Sequence, residues 1–376
     1  VSRNLFRTPG VSLGMKTLLA ALVVLATLTT PVPATSAPTR ATPGDGWYLT
    51  AIEQGKPTRE GIRAKRLRLE LVAPDGARTE ALDVRQRGYR LADWSPDGAT
   101  ALLMSDYPKP VAIRVDVATG ETTRLLLPAR VYSAVLAPDG SGVLGMTYEQ
   151  ERTGRSPVLR VAWDGSAAVV DDDVDASFLP TPDGTGLLTH GARWNQRVLR
   201  VLSSADGSVT ARIPTPRPCL PVRWWDDHRA VVSCVGARGA TTLGLVDVDA
   251  STYRPLTRRV HPQQMDLGHL DARQVGGRLY VQVAGPCGYT YLGRQHADGR
   301  ITWVRVPHAV GNVLMVDARD DRLILQHAIS CDGAAPRSAL TSFDPATRKE
   351  RRLVVLPRDE AFAAVLPYSE RRPTGY

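Results

Sequence analysis

Lysine is almost missing from this chain. In 376 residues it occurs only at Lys16, Lys56, Lys65, Lys109 and Lys349, so nearly all the positive charge behind the formal net +9 is arginine. The arginines are scattered. Nucleic-acid binding requires clustered cations facing phosphates, and even the densest stretches, 63–68, 348–352 and 371–372, read as solvated strand edges and a tail, so no nucleic-acid partner is expected. Long apolar runs are scarce too. The best, Thr17–Thr30, falls short of the roughly 18 residues that span a bilayer and is closed by Pro31 and Pro33. Preceded by Met15-Lys16 and followed by the small residues Ala34 and Ala37, it reads as a secretory signal peptide, with no stable transmembrane segment left after cleavage.

Cysteine is sparse and its spacing is informative. Cys219, Cys234, Cys287 and Cys331 include no C-x-x-C pair and no H-E-x-x-H accompanies them, which disfavours a metal centre and leaves two disulfides in an oxidising compartment. A hairpin centred on Asp226-Asp227 sets Cys219 opposite Cys234. Cys287 and Cys331 follow Leu279 and Leu323 by the same interval, which predicts a second bridge between matching loops. The acidic run 171–175 lacks the D-x-D-x-D-G spacing of a calcium loop and reads as a solvated turn. No cofactor motif is present.

What the chain has in quantity is turn formers, 32 glycines and 28 prolines, beside 43% hydrophobic residues. Together they indicate many short strands around a large core. The turns repeat. Trp94-Ser95-Pro96-Asp97-Gly98, Ala137-Pro138-Asp139-Gly140 and Thr181-Pro182-Asp183-Gly184 each separate two apolar runs, and weaker copies fall at Asp226, Gly276 and Asp320. These anchors stand about 42 to 50 residues apart, the length of a four-stranded propeller blade. Between them lie second hairpins turning at Thr119-Gly120, Asp164-Gly165, Asp206-Gly207, Ala250-Ser251, Asp298-Gly299 and Pro345-Ala346. A blade lacking its inner strand opens the series, and a spare strand, Ala361–Leu366, ends it. The expected fold is therefore all-β, a seven-bladed β-propeller of four-stranded blades closed by pairing the N- and C-terminal strands. The expected domains are a signal peptide with an upstream extension at 1–37, a leader at 38–46, the propeller at 47–368 and a tail at 369–376.

The W-S-P-D-G turn at Trp94–Gly98 and its copies resemble the Pro-Asp repeats of TolB-like, WD40-like propellers of exported bacterial proteins, a group related to the propeller domains of prolyl oligopeptidase-type peptidases. The resemblance spans about residues 47–368 and implies the fold and a loose expectation of protein binding. No G-x-S-x-G elbow occurs within the repeats or after them.

With strands running a to d in each blade, the Pro-Asp-Gly turns occupy one face of the ring, and the b–c and d–a loops the other. The second face carries the varied chemistry, and propellers place binding residues on such loops. The candidate binding residues are Tyr132, Glu149, His190, Arg193, Trp194, His269, Asp271 and His327, with none assigned as catalytic or as a metal ligand. The reading is of a secreted, monomeric, non-catalytic module for a protein, peptide or cell-envelope partner. The rival is a lactonase- or lyase-like enzyme using His190, His269 or His327 with Glu149, Asp175 or Asp271 at the channel mouth.

Overall fold

The computed structural model describes residues 43–368 and Glu370, except 59–60, 86–87, 106–108, 148–155, 173, 192–195, 237–238, 260–265, 310–311 and 329–337. The signal-peptide assignment falls outside the described residues.

The repeated turn is built by its aspartate. Asp97 accepts hydrogen bonds from the Ser95 hydroxyl at 2.5 Å and the Ala99 N–H at 3.0 Å, while Gly98 takes φ 72°. Trp94 then donates its indole N–H to the Gly98 carbonyl at 3.0 Å, locking the strand end to the turn. Asp139 and Asp183 hold the next two turns in the same way, through Ser141 and Thr185.

Strands β1 (Tyr48–Thr58), β2 (Gly61–Val72) and β3 (Arg78–Val84) begin the chain order. Next come β4 (Tyr89–Trp94), β5 (Thr100–Ser105), β6 (Val111–Asp116) and β7 (Thr122–Leu126). They are followed by β8 (Val131–Leu136), β9 (Gly142–Thr147), β10 (Val158–Ala162) and β11 (Ala167–Asp171), and by β12 (Val174–Pro180), β13 (Gly186–Gly191), β14 (Val198–Ser203) and β15 (Val209–Pro214). Then run β16 (Cys219–Trp224), β17 (Arg229–Val235), β18 (Thr241–Asp247), β19 (Thr252–Pro255), β20 (Gly268–Val275), β21 (Arg278–Ala284), β22 (Thr290–Gln295) and β23 (Ile301–Trp303). The series ends with β24 (Asn312–Arg319), β25 (Arg322–Ala328), β26 (Ala339–Asp344), β27 (Lys349–Val355) and β28 (Glu360–Pro367).

The protein is an all-β propeller, but the expected seven blades are not found. Among the described residues five four-stranded blades are present: β28-β1-β2-β3, β4–β7, β8–β11, β12–β15 and β24–β27. The remaining eight strands, β16–β23, form one sheet. The cause is local. β19 has only four residues and pairs with Gly244–Asp247, so the Thr241 end of β18 stays open and forms a parallel bridge with Gly268 of β20. The longest interval of the repeat, Asp226 to Gly276, falls at this junction.

The terminal strands do pair. β1 lies antiparallel to β28 with Tyr48 opposite Pro367 and Gln54 opposite Glu360, so the first blade is completed by the last strand. Apolar clusters fill the space between successive sheets, because strands enclosed on both faces carry consecutive apolar residues. Leu69, Trp94 and Leu103 belong to the cluster joining the first blade to the second, and Tyr48, Val316 and Leu340 to the one joining the last blade back to the first. Val231, Leu245, Ala272 and Val281 pack between the halves of the eight-stranded sheet.

Candidate binding pocket on the loop face

The open end of β18 borders a cavity of about 450 Å³. Three loops of one face wall it: Pro216 and Arg217 ahead of β16, Gly236 and Ala240 between β17 and β18, and Thr257, Arg258 and Arg259 between β19 and β20. Thr242, Tyr253 and Pro255 complete the lining. Tyr253 can lie over β18 because position 244 is glycine; a Cβ there would sit 2.1 Å from the ring Cε2. Burial pushes the Tyr253 phenol pKa up, and neighbouring Arg217 works against that rise. Arg217 itself rests over Gly236, with Nη1 2.8 Å from where a Cβ would stand.

Behind the cavity the loop after β19 replaces the missing end of that strand. The N–H groups of Leu256 and Thr257 donate to the Leu243 carbonyl at 2.9 and 3.0 Å, and the Leu243 N–H donates to the Thr257 hydroxyl at 2.8 Å. That hydroxyl also lies 2.8 Å from Nδ1 of His269, a fully buried ring whose Nε2 is 3.7 Å from Asp266 Oδ2. Asp266 further accepts the Gly268 N–H at 2.9 Å and Arg259 Nε at 3.2 Å. Burial works to raise its pKa, but His269 and Arg259 outweigh that and hold the carboxyl below its usual range.

Arg259 is thereby neutralised. Arg217 and Arg258 are exposed and have no carboxylate partner among the described residues, and the intervening sequences 237–238 and 260–265 contain no Asp or Glu. The disulfide Cys219–Cys234 stands beneath this surface. It joins directly opposed residues of β16 and β17, with Cα atoms 4.0 Å apart, and so ties the segment bearing Arg217 to the one bearing Gly236.

A second charged system runs along β16, β20 and β24. Register shifts in β16, β20 and β24 bring Arg223, Asp271 and Asp317 to matching positions. Arg223 Nε donates to Asp271 at 2.8 Å; Arg273 reaches Asp271 at 3.5 Å, Asp317 at 3.4 Å and Glu370 at 2.9 Å. Burial pushes the Asp317 carboxyl up, with Arg273 opposing, and Tyr48 donates its hydroxyl to Asp317 at 3.3 Å. A cavity of about 350 Å³ beside Arg223, Trp225 and Arg273 opens on the Pro-Asp-Gly face.

The residues expected from sequence are therefore dispersed. Asp271 belongs to the ion-pair chain just described. Tyr132 is half-buried, its hydroxyl 2.7 Å from Met146 Sδ. His190 is buried, with Nε2 2.9 Å from the Gln196 carbonyl. His327 is buried against Glu350, Nε2 to Oε1 3.0 Å. None of the three candidate histidines presents its ring to solvent. Glu149, Arg193 and Trp194 lie outside the described residues. Of the cysteines, Cys219 and Cys234 are bridged as expected, whereas Cys287 carries a free thiol, exposed in the turn Pro286–Gly288; its expected partner Cys331 lies outside the described residues. Arg217, Tyr253 and Arg258 were not singled out by sequence. The one signal they leave is their position beside Cys219 and in or just after the shortened fourth strand.

Among the described residues no helix is long and apolar enough to cross a membrane, and no cluster of three or more metal-ligating side chains occurs. No protein-family model matches the chain, and no curated protein does. Solved structures do. A puromycin-hydrolyzing peptidase of Mycobacterium tuberculosis is similar at 17% identity with a TM-score of 0.51, over 84% of this chain and 52% of that one. The dihydro-heme d1 dehydrogenase NirN is similar at 15% identity and 0.51, over 91% of this chain and 80% of that one. TolB from Acinetobacter baumannii is similar at 16% identity and 0.45, over 70% and 68%. This chain spans about half the length of the peptidase, and at such identities the likeness is one of fold: the chain shares a β-propeller with proteins of several activities.

Proposed function

We propose that this propeller is an exported, non-catalytic binding module whose loop face engages a protein or cell-envelope partner. The observation that carries the reading is the loop-face cavity at the end of β18, where Arg217 and Arg258 have no carboxylate partner among the described residues and the rim is stapled by Cys219–Cys234. A guanidinium held open to solvent on a loop beside a rigid sheet is free to meet a ligand group, and a stapled rim loses less loop entropy when it does. The disulfide and the apolar leader of the sequence support export.

The test is capture of a partner from the envelope and secreted fractions by immobilised protein. The double variant Arg217→Glu with Arg258→Glu should lose the captured species, while Asp139→Asn on the opposite face retains it. Loss through Asp139→Asn with the fold intact, and retention by the double variant, would overturn the assignment.

A further inference from the structure

Within that reading, on which this inference rests, we infer that the cavity takes a carboxylate carried on an apolar peptide stem, such as a glutamate side chain of an acidic segment. The charge argument comes first. Three arginines line the cavity and one aspartate neutralises only Arg259, so two positive charges face an opening of about 450 Å³, room for a side chain with its flanking backbone. Arg217 and Arg258 sit on different loops, so a single carboxylate between them attracts both, halves the local net charge and offsets their mutual repulsion.

The walls then select the kind of anion. Pro216, Pro255, Ala240 and the ring of Tyr253 offer flat apolar surface beside the guanidinium groups. A phosphate can take the same guanidinium edges but gains nothing from such walls. A carboxylate uses one guanidinium edge or two, and its methylene stem buries against proline and tyrosine. The half-buried phenol of Tyr253, protonated at neutral pH like any tyrosine, adds a neutral donor beside Arg217.

The experiment is calorimetric titration of the full chain with three probes: an acetylated, amidated Pro-Glu-Glu peptide, its Pro-Gln-Gln counterpart, and inorganic phosphate. The Glu peptide should bind, weaken with added salt, and lose roughly tenfold or more in affinity in Arg217→Gln with Arg258→Gln at unchanged melting temperature. Tyr253→Phe should weaken it less. Equal binding of the Glu and Gln peptides, indifference to the double variant, or phosphate binding more tightly than the Glu peptide would overturn the inference. If the peptide fails to bind while partner capture still depends on Arg217 and Arg258, the ligand class is wrong and the binding function stands. If capture is also indifferent to them, both fall.

Discussion

Thr241 and Gly268 form a single parallel bridge, and through it two runs of four strands become one sheet beside the loop-face cavity. The contact is close because position 268 is glycine: its φ is 143°, and a Cβ would stand 2.5 Å from Thr241 Oγ1 and 2.7 Å from Thr241 N. The Thr241 hydroxyl meanwhile donates to the His269 carbonyl at 2.9 Å.

Gly268→Ala should therefore open the bridge and strain the backbone, at a cost of about 1–3 kcal/mol in denaturant unfolding. Amide exchange should accelerate first around Thr241 and His269. A variant as stable as the parent would show that the junction is not fixed by that glycine.

The disulfide closes a loop of 15 residues. By chain entropy its removal in Cys219→Ser with Cys234→Ala should cost about 3 kcal/mol. Because the bridge ties both segments that border the cavity, binding at the loop face should also weaken beyond what the remaining folded fraction accounts for. Unfolding in guanidinium with and without reductant gives the first quantity, and partner titration below the unfolding range gives the second.

Much of the fold was legible because its turns are chemical devices. Pro-Asp-Gly at 96–98 and 138–140 announces a hairpin through φ-setting and side-chain acceptance alone, and the terminal closure follows from counting strands. The fused sheet was not legible, since it depends on β19 stopping at Pro255 and on a contact from Thr241 to Gly268 that no local pattern encodes. The site was less legible still. His190, His269 and His327 sit at strand ends, as the sequence suggests, but the period-two alternation of a strand does not say which face a neighbouring sheet will cover, and all three rings are buried. Arg217 and Arg258 stand out only once the acid that pairs with Arg259 is located in space.

The turn aspartates predict a falling stability in acid. The Ser95 hydroxyl chiefly holds Asp97 below its usual range, and the Thr181 hydroxyl does so for Asp183. At Asp139 burial works upward, yet Ser141 and Arg160 bring the pKa to about 2. A carboxyl with a depressed folded pKa stabilises above its unfolded value, about 3.9, and that contribution fades as pH drops through the folded one. Melting temperature should thus be flat in this term from pH 7 to 5 and decline between about 4 and 2. Replacing Asp97, Asp139 and Asp183 together by Asn should flatten that decline; an unchanged acid limb would assign it to other groups.

His327 and Glu350 are 6% and 4% exposed at the side chain, in contact at 3.0 Å, with the imidazole also 3.1 Å from the Thr341 hydroxyl. Burial lowers the His327 pKa, and the attraction of Glu350 only partly restores it. A histidine depressed in the folded state favours folding above its unfolded pKa of about 6.5 and loses that contribution as pH falls toward the folded value. Removing the imidazole in His327→Leu leaves the buried Glu350 side chain without the polar neighbour at 3.0 Å, which should cost about 1–3 kcal/mol. The double change His327→Leu with Glu350→Leu removes both polar groups and should cost less than the single one, because no buried polar group is left without a partner. Denaturant unfolding of the parent, His327→Leu, Glu350→Leu and the double variant measures the coupling directly. A double variant less stable than His327→Leu would mean that the pair contributes more than an apolar replacement can, and that an unpartnered Glu350 is not what penalises the single change.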